Sequence, residues 1–229
     1  MRVAAIVPAA GRGRRLKAGK PKPFVEIFRK PLLIHTLSSL QKSFGFTEII
    51  LAAPSGQIQS MRGLLDKHGF WNVRIVAGGK TRAESVYCCL VAVSDKSDWV
   101  LVHDAARPLL SKNLINRLLQ AARRTGAAIC AAPVTATVKR VDRARMQIIK
   151  TEDRNSLYLA QTPQVFRKEI LTKAYGRLGK KAFLATDEAA LLDGSPVRVK
   201  VISGEAKNIK ITTPDDLELM KFYLKKDGA

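Results

Sequence analysis

The sequence holds few of the groups that carry covalent or acid–base chemistry. Three cysteines and three histidines are all that its 229 residues supply. Cys88 and Cys89 lie in VYCCLVAV and Cys130 in AAICAAP, both apolar stretches without metal-ligand spacing. With no even count for a disulfide framework, they read as small core residues in a reducing compartment. No Ser/His/Asp set and no activated cysteine is apparent. Aromatics are scarce at 6% and do not alternate with basic residues as they do in RNA-binding motifs. No apolar run approaches the ~20 residues of a membrane span, so none is expected. A strand-like segment follows Met1 almost at once, which leaves no room for a targeting leader and points to the cytoplasm.

Acid is scarce too: 19 Asp and Glu stand against 40 Lys and Arg, a net charge of +21. Such a balance speaks about partners and not about fold. Nucleic acid is the general partner for it; a polyphosphate substrate is the narrower one. The basic residues are spread along the whole chain, so charge alone does not decide. Length and a 46% hydrophobic fraction suit one domain over residues 1–229 with a sizeable core, and argue against disorder.

What is present is rhythm. Apolar, β-branched runs predict strands at 3–7, 48–53, 74–77, 99–103, 128–132, 198–202 and 209–212. Helical periodicity predicts helices at 31–44, 57–68, 83–94, 112–125, 168–178, 187–192 and 214–225. Ser111 can cap the fourth helix and Gly126 can close it, while Thr213 before Pro214, Asp215 and Asp216 makes a good start for the last. Alternation of this kind predicts a mostly parallel α/β sheet covered by helices. TATVKRVDRARMQIIKT departs from it: two short basic strands around the turn 142–145, poor in apolar positions, read as a protruding hairpin at about 135–153. Such an arm needs a partner to pack on. The other reading is a flap on a single chain.

The first strand runs straight into PAAGRGRRLKAGKPKPF, with six basic side chains and three glycines between Pro8 and Phe24. A strand that ends in a Gly-rich turn before a helix is a general phosphate site, because bare amides point at the anion. Two named versions fail. Gly13 is followed by Arg14 and Arg15 where a P-loop needs Lys-Ser/Thr, and Leu16 stands where the dinucleotide fingerprint needs its third glycine. Side-chain cations must then do what extra backbone cannot.

PAAGRGRRL followed by PK at 21–22 resembles the opening signature of nucleotidyltransferases that join a sugar phosphate to a nucleotide. GGKTRAESV at 78–86, VHDAARP at 102–108, TVKR at 137–140, DRNSLYLAQTPQVF at 153–166, ATDEAALL at 185–192 and NIKITTPDDL at 208–217 are similar, more narrowly, to the 2-C-methyl-D-erythritol 4-phosphate cytidylyltransferase family of non-mevalonate isoprenoid synthesis. The match runs from about Val3 to the last helix. It implies a Rossmann-like, mostly parallel sheet flanked by helices on both faces, with the β-hairpin arm used for dimerisation.

The implied reaction joins CTP to a sugar-alcohol phosphate and releases pyrophosphate. A phosphate with a second pKa of ~6 is already the nucleophile near neutrality, so no general base is required. The resemblance places Arg15 and Lys22 on the triphosphate and Arg154 and Lys210 on the acceptor phosphate. It gives the nucleotide Ala9, Ala10, Gly11, Gly13, Gly79, Arg82, Ser85, Asp104 and Ala105, and the acceptor Arg107, Thr137, Thr162, Thr186 and Asp187. Mg2+ or another divalent cation would be held mainly by the nucleotide phosphates, with no protein ligand shell. Thr137 and Arg154 belong to the arm and its base, which in this family completes the neighbouring subunit's site. His103 reads as a packed histidine, and Arg12, Arg14, Lys17 and Lys20 as surface or steering charges. Ser85 has an alternative role, bonding its own helix N-terminus, and Arg154 another, an ion pair with Asp153 or Glu152. Lys80 stands where the family often has an acid, Pro23 where Gln is frequent, and Ala136 where Asp is frequent.

Three rivals stay open: a ribitol 5-phosphate cytidylyltransferase, a basic RNA-binding module, and a regulatory nucleotide-binding protein without turnover. PAAG and TVKR favour methylerythritol over ribitol. Pyrophosphate release with CTP, magnesium and each alcohol phosphate is expected to favour 2-C-methyl-D-erythritol 4-phosphate. A strong preference for ribitol 5-phosphate would overturn that choice.

Overall fold

The strands form where apolar residues run continuously and can be covered on both faces. A computed structural model describes residues 1–11, 16 and 19–226. In chain order its strands are β1 (Val3–Pro8), β2 (Glu26–Ile27), β3 (Lys30–Pro31), β4 (Glu48–Ala53), β5 (Val73–Ala77), β6 (Trp99–Val102), β7 (Ala127–Pro133), β8 (Lys139–Asp142), β9 (Gln147–Thr151), β10 (Tyr158–Arg167) and β11 (Lys200–Ser203). Its α-helices are α1 (Leu32–Ser43), α2 (Ile58–Lys67), α3 (Arg82–Val91), α4 (Lys112–Thr125), α5 (Lys168–Leu178) and α6 (Pro214–Lys226).

Seven strands make one sheet in the order β11-β7-β10-β6-β1-β4-β5. Every pairing in it is parallel except those of β10, which runs antiparallel to both β6 and β7. Alternate residues face opposite sides. Val3, Ala5, Val7, Ile49 and Leu51 pack with Leu37, Leu65 and Leu118 of α1, α2 and α4. Ala4, Ile6, Ile50, Val100 and Phe166 pack with Val86, Leu90 and Leu171 of α3 and α5. Fully burying each of the Val, Ile, Leu and Phe side chains here contributes about 1.5–3 kcal/mol. A third, smaller cluster joins Leu16, Val25, Ile27, Leu32, Ala106 and Ile211 to Met220 of α6. It ties the glycine-rich segment to the C-terminal helix, two stretches at opposite ends of the chain.

The expected helix ends are present. Leu114 N donates to Ser111 Oγ at 3.0 Å, and Gly126 closes α4 with φ +83°. Before α6, the amides of Thr212 and Thr213 each donate to Asp216 Oδ2 at 2.7 Å.

Three expectations are corrected. No strand was expected over 158–167, yet β10 is ten residues long and lies in the middle of the sheet. Gln161, Thr162 and Pro163 break its apolar pattern, and the ladder to β7 shifts register between Gln161 and Gln164. Ile209–Thr212 is not a strand: Ile211 N bonds Ala106 O at 2.8 Å and the segment follows a loop instead of a sheet edge. The helix expected over 187–192 is only a short 3-10 turn, Ala189–Leu192.

Among the described residues β8 and β9 pair only with each other, in a separate two-stranded sheet. Asp142 Oδ1 receives the amides of Ala144 and Arg145 and so sets the turn. Ile148 and Ile149 are 64% and 61% exposed, beside exposed Met146, Tyr158 and Leu159. That apolar surface lies on the arm and its base, uncovered by its own chain. No helix of the described residues is long and apolar enough to cross a membrane.

Candidate active site

The parallel strands deliver three loops to one edge of the sheet, the usual ligand edge of such folds. Ala9 N bonds Ala52 O, Gly78 N bonds Ala53 O and His103 N bonds Ile6 O, at 2.8, 2.8 and 2.9 Å. Each chain is thus held for one residue past its strand before it turns. The loops after β1, β5 and β6, with Lys22 and Lys210, surround a cavity of about 310 Å3. Its lining includes the expected Ala9, Ala10, Gly11, Lys22, Gly79, Arg82, Ser85, Asp104, Ala105 and Lys210, and also Lys80. Gly13 and Arg15, like Arg12, Arg14 and Lys17, lie outside the described residues.

One wall is narrow for a steric reason. A Cβ on Gly78 would lie 2.5 Å from Ala10 Cβ and 2.9 Å from Ser85 Oγ, and one on Gly79 would overlap the Glu84 side chain. Thr81 caps α3 by accepting from Glu84 N, and the Glu84 carboxylate turns back to accept from Lys80 N at 2.6 Å. Ser85 Oγ donates to Thr81 O at 2.8 Å and accepts from Gly79 N at 3.2 Å. The Ser85 hydroxyl therefore braces the loop while it lines the cavity.

A second cavity of about 200 Å3 adjoins the first and is lined by Arg107, Thr162, Thr186 and Asp187, all expected at an acceptor site. Arg82, Asp104 and Lys210 line both cavities and form the wall between them. Arg82 Nε donates to Asp104 Oδ1 at 2.9 Å, and Lys210 Nζ reaches Asp104 Oδ2 at 2.7 Å. Arg107 Nε lies 3.7 Å from the same oxygen. Burial raises the proton affinity of Asp104, but Arg82, Lys210 and Arg107 outweigh it and hold its carboxyl far below the carboxylate range.

Supports around this wall come from distant parts of the chain. Arg107 Nη1 donates to Asn208 O at 2.7 Å and Asn208 Nδ2 to Thr162 O at 2.8 Å, which sets the loop that carries Lys210. Thr162 Oγ1 accepts from Asp104 N at 3.0 Å and lies 3.2 Å from His103 Nδ1. His103 Nε2 lies 2.9 Å from Arg107 O, so the ring is a buried strut between strands. Asp187 uses both carboxylate oxygens internally, on Gln164 Nε2 and on Ala190 N.

Thr137 and Arg154 line neither cavity of their own chain. Arg154 Nη1 donates to Thr135 O at the base of the arm. Glu188, Gln164 and Asn208 were not anticipated as site residues. Glu188 had a signal: an acid in EAALL, in a chain poor in acid, must pair if that run is buried. No group of three or more His, Cys, Asp or Glu among the described residues is placed to hold a metal.

Fold and site together define an α/β phosphate-handling protein whose two adjoining cavities share a cationic wall. The sequence matches the family described as "IspD: 2-C-methyl-D-erythritol 4-phosphate cytidylyltransferase" over residues 3–226. A 2-C-methyl-D-erythritol 4-phosphate cytidylyltransferase from Syntrophus aciditrophicus is 40% identical over 228 residues, covering 99% of this chain and 97% of that one. Another, from Acidobacterium capsulatum, is 41% identical over the full length of both. The crystal structure of 4-diphosphocytidyl-2C-methyl-D-erythritol synthase from Anaerococcus prevotii superposes with a TM-score of 0.84 at 32% identity, covering 98% and 96% of the two chains. The chain belongs to the 2-C-methyl-D-erythritol 4-phosphate cytidylyltransferase family.

Burial pushes the His103 imidazole down to about 4, against a weaker upward pull from Arg107 O. An unfolded chain takes up that proton near pH 6.5, so the stability His103 contributes is full above that pH and is lost as pH falls toward 4. The loss should be about 3 kcal/mol. His35, also lowered by burial, contributes with the same sign. Urea unfolding at pH 7 and pH 4 should show a smaller pH dependence in His103→Asn than in the unaltered protein; equal slopes would refute the assignment.

Proposed function

We propose that this chain, working as one domain over residues 1–229, transfers the cytidylyl group of CTP to the phosphate of 2-C-methyl-D-erythritol 4-phosphate. The products are 4-diphosphocytidyl-2-C-methyl-D-erythritol and pyrophosphate, in the non-mevalonate route to isoprenoid precursors. The observation that carries this reading is the pair of adjoining cavities with Arg82, Asp104 and Lys210 between them. Nucleotide in one and acceptor phosphate in the other would meet at that wall.

The larger cavity takes CTP. Ala9, Ala10, Gly79 and the Ser85 loop form a slot for the pyrimidine, with Asp104 and Ala105 beside the ribose. Gly11 and Gly13 bring amides near the phosphates. Arg15 and Lys22 neutralise the triphosphate and the charge that grows on the transferring phosphoryl group. An oxygen of the acceptor phosphate attacks the α-phosphorus in line, the new P–O bond forms, and the bond to the β-phosphate breaks with its electrons on pyrophosphate. Repulsion between the two anions is the barrier, so fixed cations matter more than any base.

The smaller cavity takes the acceptor, against Arg107, Thr162, Thr186, Asp187 and Lys210. Thr137 and Arg154 come from the arm of a second copy, whose exposed Met146, Ile148 and Ile149 supply the apolar contact. A homodimer then carries two composite sites.

Asp104 is the one carboxylate among the described residues lining the larger cavity, and Arg82, Lys210 and Arg107 already engage both of its oxygens, so Mg2+ would be held mainly by the nucleotide phosphates. The ion would shield phosphate charge and polarise the α-phosphoryl oxygens.

Lys22→Ala should lower kcat for pyrophosphate release by about 10²–10³ while changing the Kd for CTP much less. Equal loss in both would favour a nucleotide-binding protein without turnover. Mixing inactive Lys22→Ala with inactive Arg154→Ala should restore about a quarter of wild-type activity if each site draws on two subunits. No restoration would place Arg154 outside the partner's site.

A further inference from the structure

Glu188 is fully buried, and nothing in the proposed reaction uses it. Both of its carboxylate oxygens accept from Arg82 Nη1, at 2.8 and 3.0 Å. Its backbone N donates to Gln164 Oε1 at 3.2 Å, as does that of Ala189 at 3.3 Å. The acid is therefore anchored through the central strand β10, and it approaches Arg82 from behind the wall between the cavities. It lines neither cavity itself.

Arg82 has opposite charges on two sides, Glu188 on Nη1 and Asp104 on Nε. Burial lowers the basicity of this guanidinium, but Glu188 first and Asp104 second outweigh it and raise it. Three cations meet Asp104, from Arg82, Arg107 and Lys210. Without a second carboxylate the group would carry a larger positive excess, and Arg82 would be free to turn toward a bound polyphosphate. Held by Glu188, its Nε stays on Asp104 Oδ1, and Asp104 Oδ2 is left for Lys210.

Resting on the cytidylyltransferase reading above, we propose that Glu188 is a positioning residue that locks Arg82, and through it fixes the Asp104–Lys210 pair between nucleotide and acceptor phosphate. Its effect on turnover passes through Arg82 alone. That separates it from a residue that only stabilises the fold, whose removal would weaken activity whatever stands at position 82.

The test is a double-mutant cycle with Glu188→Gln and Arg82→Gln, read as kcat and KM for pyrophosphate release and, separately, as Mg-CTP affinity by calorimetry. Glu188→Gln should lower kcat about 10–100-fold with a smaller change in the KM for CTP. In the Arg82→Gln background the same substitution should change kcat/KM by less than about twofold. Losses that multiply, or a Glu188→Gln enzyme with wild-type kcat, would overturn the proposal. If Glu188→Gln alone does not fold, the comparison of Arg82→Gln with the double variant, which buries neither charge, still decides. A wild-type protein that releases no pyrophosphate would sink the functional reading, not this one. The cycle read on CTP affinity would then stand alone: non-additive effects support the link and additive effects refute it.

Discussion

Asp104 carries one negative charge and meets three positive ones. Arg82 takes one of its oxygens; Lys210 and Arg107 share the other. These residues come from the start of α3, the end of β6 and a loop just before α6, so the contact closes the chain on itself. A carboxylate this buried is stable only because it is paired, and each partner is in turn held by something else. Glu188 holds Arg82, while Asn208 holds Arg107 and Thr162 holds the Asp104 amide. The wall between the two cavities is the visible part of this charge cluster.

The cluster explains why so basic a chain can build an anion site without the site repelling itself. Its cations are spaced and oriented by buried acids before any substrate arrives. Preorganised charges of that kind act on a transition state without reorganising, which is the larger part of catalysis where no proton has to be transferred. Few histidines and no reactive cysteine fit such chemistry: His103 is a strut between β10 and the loop after β6, and burial pushes Cys130 up to about 12, far from a thiolate.

The arm stands apart from this charge cluster. Among the described residues its strands pair only with each other, and its apolar residues are exposed where a globular surface would carry polar ones. Thr137 and Arg154 sit on it or at its base, away from both cavities of their own chain.

Read alone, the amino-acid order was enough for the alternation of strand and helix, the caps at Ser111, Gly126 and Thr213, and most of the described cavity lining. These are local properties: periodicity, capping chemistry and short motifs act within a few residues. β10 was not legible, because its polar middle and Pro163 hide a strand whose pairing depends on β6 and β7, some 60 and 30 residues away in the chain. Glu188 was legible only as an acid in need of a partner, since its role depends on which cation burial brings to it. Arg82 lies more than a hundred residues earlier. Only the folded sheet places these groups within 3 Å, where desolvation turns a pair of ordinary charges into a fixed and directional contact.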